Sequence, residues 1–151
     1  MTQEPDRTSS DTLRAVELVR TGRAHFQATN VRGGVLSIGS GEDTDFTPVE
    51  LLLAAIAGCS GVDVDLITGK RAQPERFEVR ASGDKIRDEQ GNRMTNLRLV
   101  FDVAFPEGEE GDAARGVLPR AIEQSRDRLC TVSRTVAVAS PVEMVRRDAV
   151  S

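Results

Sequence analysis

Residues 47–67 constrain the fold more than any other stretch of this chain. Thr47 stands at a helix start, Pro48 at the first helical position and Glu50 three residues after the cap, which together form a capping box. From Val49 to Ile67 the sequence is almost unbroken apolar until Asp63. Such a helix has no polar face to give to water, so the pattern predicts a helix buried on most sides. Ala54, Gly58 and Gly61 recur at helical spacing and would let another helix approach closely. Large residues to cover it are scarce, with five Phe and neither Trp nor Tyr in 151 residues. Part of the covering surface is therefore expected from a second copy of the chain.

Around this helix the periodicity is that of strands, which makes the fold class α+β. Thr12 to Arg20 fits helix and strand alike and is read as a strand. Ala24, Phe26 and Ala28 alternate with polar residues, and Asn30-Val31-Arg32-Gly33-Gly34 supplies a turn before Val35 to Ile38, so a hairpin is expected. Phe77, Val79 and Ala81 alternate, as do Leu97 to Phe105, with Asp88 to Asn92 as the turn of an antiparallel pair. Asp112 is read as the cap of a helix running to about Leu129 and kinked at Pro119. Thr135 to Val145 reads as a closing strand, with Pro141 marking an edge or bulge. Met1 to Asp11 is polar and aperiodic, a mobile tail, and residues 12–151 form one domain.

A net charge of −4 with mixed signs argues against nucleic acid and anionic membrane, because phosphate binding needs a clustered basic surface. No early charged start precedes an apolar run, and the longest apolar stretch reads as short of a membrane span, so a cytoplasmic location is expected. His25 alternates outward against Phe26 with no second soft ligand nearby, and no metal site is expected. Glu42, Asp43 and Asp45 read as a solvated loop, and Glu107 to Asp112 as a charged turn.

The chemistry concentrates in two cysteines. Cys59 lies late in the apolar helix and Cys130 opens Cys130-Thr131-Val132-Ser133-Arg134 directly after the second helix. In a reducing compartment the open readings are inert buried cysteine and redox dithiol. A fully apolar site would oppose a thiolate. Lowering a thiol from near 8.5 to about 6 requires roughly 3.4 kcal/mol, the scale of one well-placed arginine. Arg126, Arg128 and Arg134 flank Cys130 and would favour its thiolate or complement a helix end.

The helix reading Pro-x-Glu-Leu-Leu-x-Ala-x-x-x-x-Cys, followed about seventy residues later by Cys-x-Val-Ser, resembles the OsmC/Ohr family of osmotically inducible and organic hydroperoxide resistance proteins, from about Arg23 to Val145. The resemblance implies antiparallel sheets wrapped around central helices in an intertwined homodimer. It also implies a thiol-dependent peroxidase acting on organic hydroperoxides. Cys59 would become a sulfenic acid and Cys130, expected to be the more accessible, would condense with it to a disulfide. An external dithiol of lipoyl type, protein-borne or small, would reopen it, with no bound cofactor. Glu50 matches the helix-start glutamate that in such peroxidases holds an arginine against the reactive cysteine, and Arg32 is the candidate arginine. Glu50 and Cys59 are nine positions apart, roughly 13 Å along one helix and about 180° around it, so Glu50 would reach the site from a second copy. Thr131 stands where these peroxidases commonly carry proline, and Ser60-Gly61 replaces bulkier residues. The alternative is a binding protein for a small apolar or electrophilic ligand, with Cys59 structural.

Overall fold

In a computed structural model, residues 12–147 are described, and the expected tail Met1 to Asp11 lies outside them. They fall into two compact units, and the chain passes from one to the other between Leu51 and Leu52.

The first unit is a three-stranded antiparallel sheet of order β1 (Val16–Gly22), β2 (His25–Asn30) and β3 (Val35–Ile38). The ambiguous segment after Thr12 is thus a strand, because its residues find a cross-strand partner in β2. Thr29 pairs with Val35, and the turn between them is closed by Asn30 Oδ1, which accepts from the backbone N–H groups of Arg32 at 3.0 Å and Gly34 at 2.9 Å. Gly33 there takes φ 88°, a left-handed conformation that glycine adopts without strain.

The His25 side chain remains 31% exposed, close to the 37% of Phe26, and the acidic loop holds it there. His25 Nδ1–H donates to the Arg23 carbonyl at 2.8 Å and Nε2–H to Asp43 Oδ2 at 2.5 Å. Both partners only accept, so the imidazolium is the form that satisfies both bonds. These two bonds raise the His25 pKa above its usual 6.5, the Arg23 carbonyl first, and His25 in turn lowers that of Asp43. A raised histidine pKa contributes stability that is complete below about 6.5 and is lost as pH rises through the folded value. We expect the unfolding midpoint to fall over that window, and Asp43→Asn to flatten the fall. A His25 ring titrating at or below 6.5 by NMR would refute the pairing.

The first helix, α1 (Pro48–Thr68), starts as expected: Thr47 N–H donates to Glu50 Oε1 at 2.9 Å and Glu50 N–H to Thr47 Oγ1 at 3.3 Å. At 21 residues it is long and apolar enough to cross a membrane, which corrects the expectation of a shorter apolar stretch. Asp63 within it accepts a hydrogen bond from Ser125 Oγ at 2.9 Å. Its burial also differs from expectation. Only Ile56, Ser60, Val64 and Thr68 are buried, one stripe at four-residue spacing, while Val62 and Leu66 remain exposed. Gly61 faces a strand, not a helix: a Cβ there would lie 3.8 Å from Val79 Cγ2 and 4.0 Å from Phe77 Cε1, and at Gly58 it would meet nothing.

That strand belongs to the long hairpin of the second unit, β4 (Arg76–Asp88) with β5 (Gly91–Ala104), paired from Arg76↔Ala104 to Asp88↔Gly91. Phe77 and Phe101 meet edge to face at 6.4 Å. The second helix, α2 (Glu109–Gln124), begins earlier than Asp112 and ends before Leu129, where a π-type turn, Ser125–Leu129, takes over. Pro119 sits inside α2. Ala72, Phe105 and Ala114 form a small core beneath it, with Val103 and Leu118 packed against them.

The expected closing strand is absent. Thr131–Ala137 is a third helix, α3, and residues 138–147 are neither helix nor strand. Its β-branched residues favour a strand by propensity, but the cap at Cys130 decides, and Thr135 Oγ1 returns a hydrogen bond to the Thr131 carbonyl at 2.7 Å. Ala139, with φ 52°, follows as a left-handed stop.

Candidate active site

Helix α1 delivers Cys59, Ser60 and Asp63 to one region of the second unit, because residues three and four apart share a helix face. Ser60 Oγ and Ser125 Oγ lie 2.8 Å apart, and Ser125 Oγ donates to Asp63 Oδ2 at 2.9 Å. The carboxylate can only accept, so the Ser125 proton is committed to it and Ser60 must be the donor to Ser125. The relay runs one way, from Ser60 through Ser125 to Asp63, and it fixes the Asp63 carboxylate against the π-type turn.

The turn then places the second thiol. Cys130 N–H donates to the Ser125 carbonyl at 2.9 Å, five residues back, and Cys130 turns extended (φ −71°, ψ 100°). Its sulfur caps α3 by accepting from Ser133 N–H at 3.4 Å. Cys130 is fully buried and Cys59 only half-buried, the reverse of the expected order of access. The residues after Cys130 coil into α3 instead of forming a loop, and so enclose it. Both cysteines are free thiols. Cys59 Sγ, Cys130 Sγ and an Asp63 carboxylate oxygen all lie within 4.8 Å of one another.

Burial pushes the Cys59 thiol above its ordinary pKa, and Cys130 beside it pushes in the same direction. The backbone N–H groups of Val132 and Thr131 pull the other way. None of these influences is a cation, so the local support for a Cys59 thiolate is the first turn of α3. The residue type at position 131 matters here, because a proline would carry no N–H. Arg126 is paired with Asp127, Nε to Oδ1 at 2.7 Å.

Glu50 and Arg32 belong to the first unit. Glu50 completes the capping box, and Arg32 lies exposed in the β2–β3 turn. Among the described residues no hydrogen bond joins them. Sequence reasoning passed over Asp63, Ser60 and Ser125. Asp63 carried a signal, a charge four residues after the cysteine in an apolar helix, whereas Ser125 had none because the π-type turn that aims it is not legible in the sequence.

A cleft of about 480 Å³ opens within the second unit, and neither cysteine is in its lining. Leu53, Ile56, Phe101, Ile122 and Val136 supply apolar walls, and Arg98 lies at its lining. Ser133, whose N–H bonds to Cys130, also lines it.

Solved structures share this fold, two of them at the same TM-score. An OsmC-like protein of unknown function from Vibrio cholerae superposes with a TM-score of 0.68 at 13% identity, covering 82% of this chain and 93% of that one. An OsmC-like protein from Mycoplasma pneumoniae gives 0.68 at 14%, covering 85% and 89%. In sequence, an uncharacterized protein of Mycobacterium tuberculosis is 31% identical over 128 residues, 83% of this chain and 90% of its own length. Residues 41–145, which hold both cysteines, Asp63 and Ser125, match the family described as OsmC-like protein. That match spans more than half of the chain, and the chain belongs to the OsmC-like family.

Proposed function

We propose that this protein is a thiol-dependent peroxidase that reduces organic hydroperoxides, with Cys59 as the peroxidatic and Cys130 as the resolving cysteine. The observation that carries this reading is the pair of free sulfurs within 4.8 Å of each other. A disulfide needs about 2.05 Å, so the remaining gap is of the size a side-chain rotation closes. Cys59, the more exposed thiol, meets the peroxide. Its thiolate attacks the terminal peroxide oxygen, the O–O bond breaks, an alcohol leaves after protonation, and Cys59 becomes a sulfenic acid. The Cys130 sulfur then attacks that of Cys59, expelling water and forming the disulfide. An external dithiol, lipoyl-type by family resemblance, reopens it by exchange, and no bound cofactor is needed. The apolar cleft suits the organic part of such a substrate.

The working form is proposed to be a cytoplasmic homodimer. The exposed Val62 and Leu66 of α1 give a second copy an apolar surface to cover. In that dimer Glu50 and Arg32 would act at the partner's Cys59, the arginine adding to the thiolate support of α3. Sedimentation at micromolar concentration should give a dimer, and a stable monomer would sink that arrangement. The same cleft would serve the alternative, a binding protein for a small apolar ligand. One equivalent of an organic hydroperoxide should convert the reduced protein to the Cys59–Cys130 disulfide, read by mass spectrometry after thiol blocking. Two thiols surviving excess peroxide would leave the binding reading in its place.

A further inference from the structure

We propose that the reduced thiol pair is also a metal site, in which Cys59, Cys130 and Asp63 hold one soft divalent cation of the zinc type, and that oxidation of the two sulfurs empties it. Two sulfur atoms and a carboxylate oxygen already lie within 4.8 Å of one another. Zinc–sulfur bonds of about 2.3 Å and zinc–oxygen bonds of about 2.0–2.2 Å set the donors of a tetrahedral ion roughly 3.5–3.8 Å apart, so the three need move inward by only about 1 Å. Cys59 and Asp63 are four residues apart on one turn-spaced face of α1, and Cys130 is set by the cap of α3.

The outer contacts match what a metal site needs. Ser125 donates to Asp63 Oδ2, which leaves the other carboxylate oxygen available and fixes the orientation of the group. Ser60 in turn secures Ser125. Two thiols select against magnesium and calcium, which take oxygen donors, and favour zinc or cadmium. Three protein donors leave a fourth tetrahedral position for water.

Metal and disulfide are mutually exclusive states of the same sulfurs. The metal-bound dithiolate, one hydroperoxide and two protons give the disulfide, one alcohol, one water and the free divalent cation. Two electrons pass from the sulfurs to the peroxide and the metal keeps its charge. This release step rests on the peroxidase reading, whereas the binding step rests on the donor geometry alone.

Cadmium serves as the optical probe for the reduced full-length chain. One cadmium per chain should bind with a thiolate-to-metal charge-transfer band, and zinc should displace it. Cys59→Ser should abolish the band, and Asp63→Asn should keep it while weakening affinity at least about tenfold. Circular dichroism of both variants verifies that they are folded. Addition of one hydroperoxide equivalent to the zinc-loaded protein should release one zinc, read with a chromogenic chelator. Absence of the band, or a band unchanged in Cys59→Ser, overturns the site, and unchanged affinity in Asp63→Asn overturns the third ligand. Metal retained under excess hydroperoxide overturns the release step and counts against the peroxidase reading, leaving binding in place.

Discussion

Cys59→Ser should lower kcat/KM for an organic hydroperoxide by at least ~10³-fold, because a serine hydroxyl cannot replace the only nucleophile of the proposed chemistry. Cys130→Ser should behave differently. Its hydroxyl can cap α3 as the sulfur does, so the first turn of that helix, with the Val132 and Thr131 N–H groups near Cys59, should be retained. The first oxidation should then proceed near its normal rate and stop. One turnover would leave Cys59 as a sulfenic acid trappable by a dicarbonyl reagent, and excess peroxide would drive it to sulfinic acid. Rapid-mixing kinetics with mass spectrometry separates the two variants. Steady-state turnover of Cys130→Ser at the wild-type rate, with a dithiol as reductant, would rule out Cys130 as the resolving thiol.

The two variants also probe why local pattern foretold one half of the site and not the other. The capping box at Thr47 and Glu50 depends on residues three apart, and the hairpin turn at Asp88 needs only the Asp88 carboxylate and a glycine at Gly91. Interactions of that range are readable from residue order. Burial of the thiols is not, since it depends on how the π-type turn and α3 fold over Cys130. A run of Thr, Val and Ala favours a strand by local propensity, whereas the fold makes it the helix that encloses Cys130. The burial of α1 departs from its apolar pattern for a related reason. Its apolar surface exceeds what one copy of the chain covers, so Val62 and Leu66 stay exposed in the single chain. Asp63 stood in plain view as a charge in that helix, but its link to Ser125 spans 62 residues and appears only once the fold is formed.

Gly111→Ala should destabilise the protein by about 3 kcal/mol, although helix propensity alone would favour alanine by about 1 kcal/mol. The cause is a backbone approach. A Cβ at Gly111 would lie 1.7 Å from the Pro106 carbonyl oxygen and 2.8 Å from its carbonyl carbon. No side chain can rotate to relieve that overlap, so either the segment 106–111 moves or the first turn of α2 comes apart. Moving it would disturb the bonds Arg115 Nη1 makes to the carbonyls of Phe105 at 2.9 Å and Pro106 at 3.2 Å. It would also displace Phe105 and Ala114 in the small core beneath α2. Gly116, in the same helix, supplies the control. It is exposed, and a Cβ there meets nothing within 4 Å, so Gly116→Ala should stabilise by about 1 kcal/mol. Denaturant unfolding with a common slope should thus give shifts of opposite sign for one chemical change made at two sites of one helix. A Gly111→Ala protein as stable as the wild type would mean that the entry to α2 is not fixed by this contact.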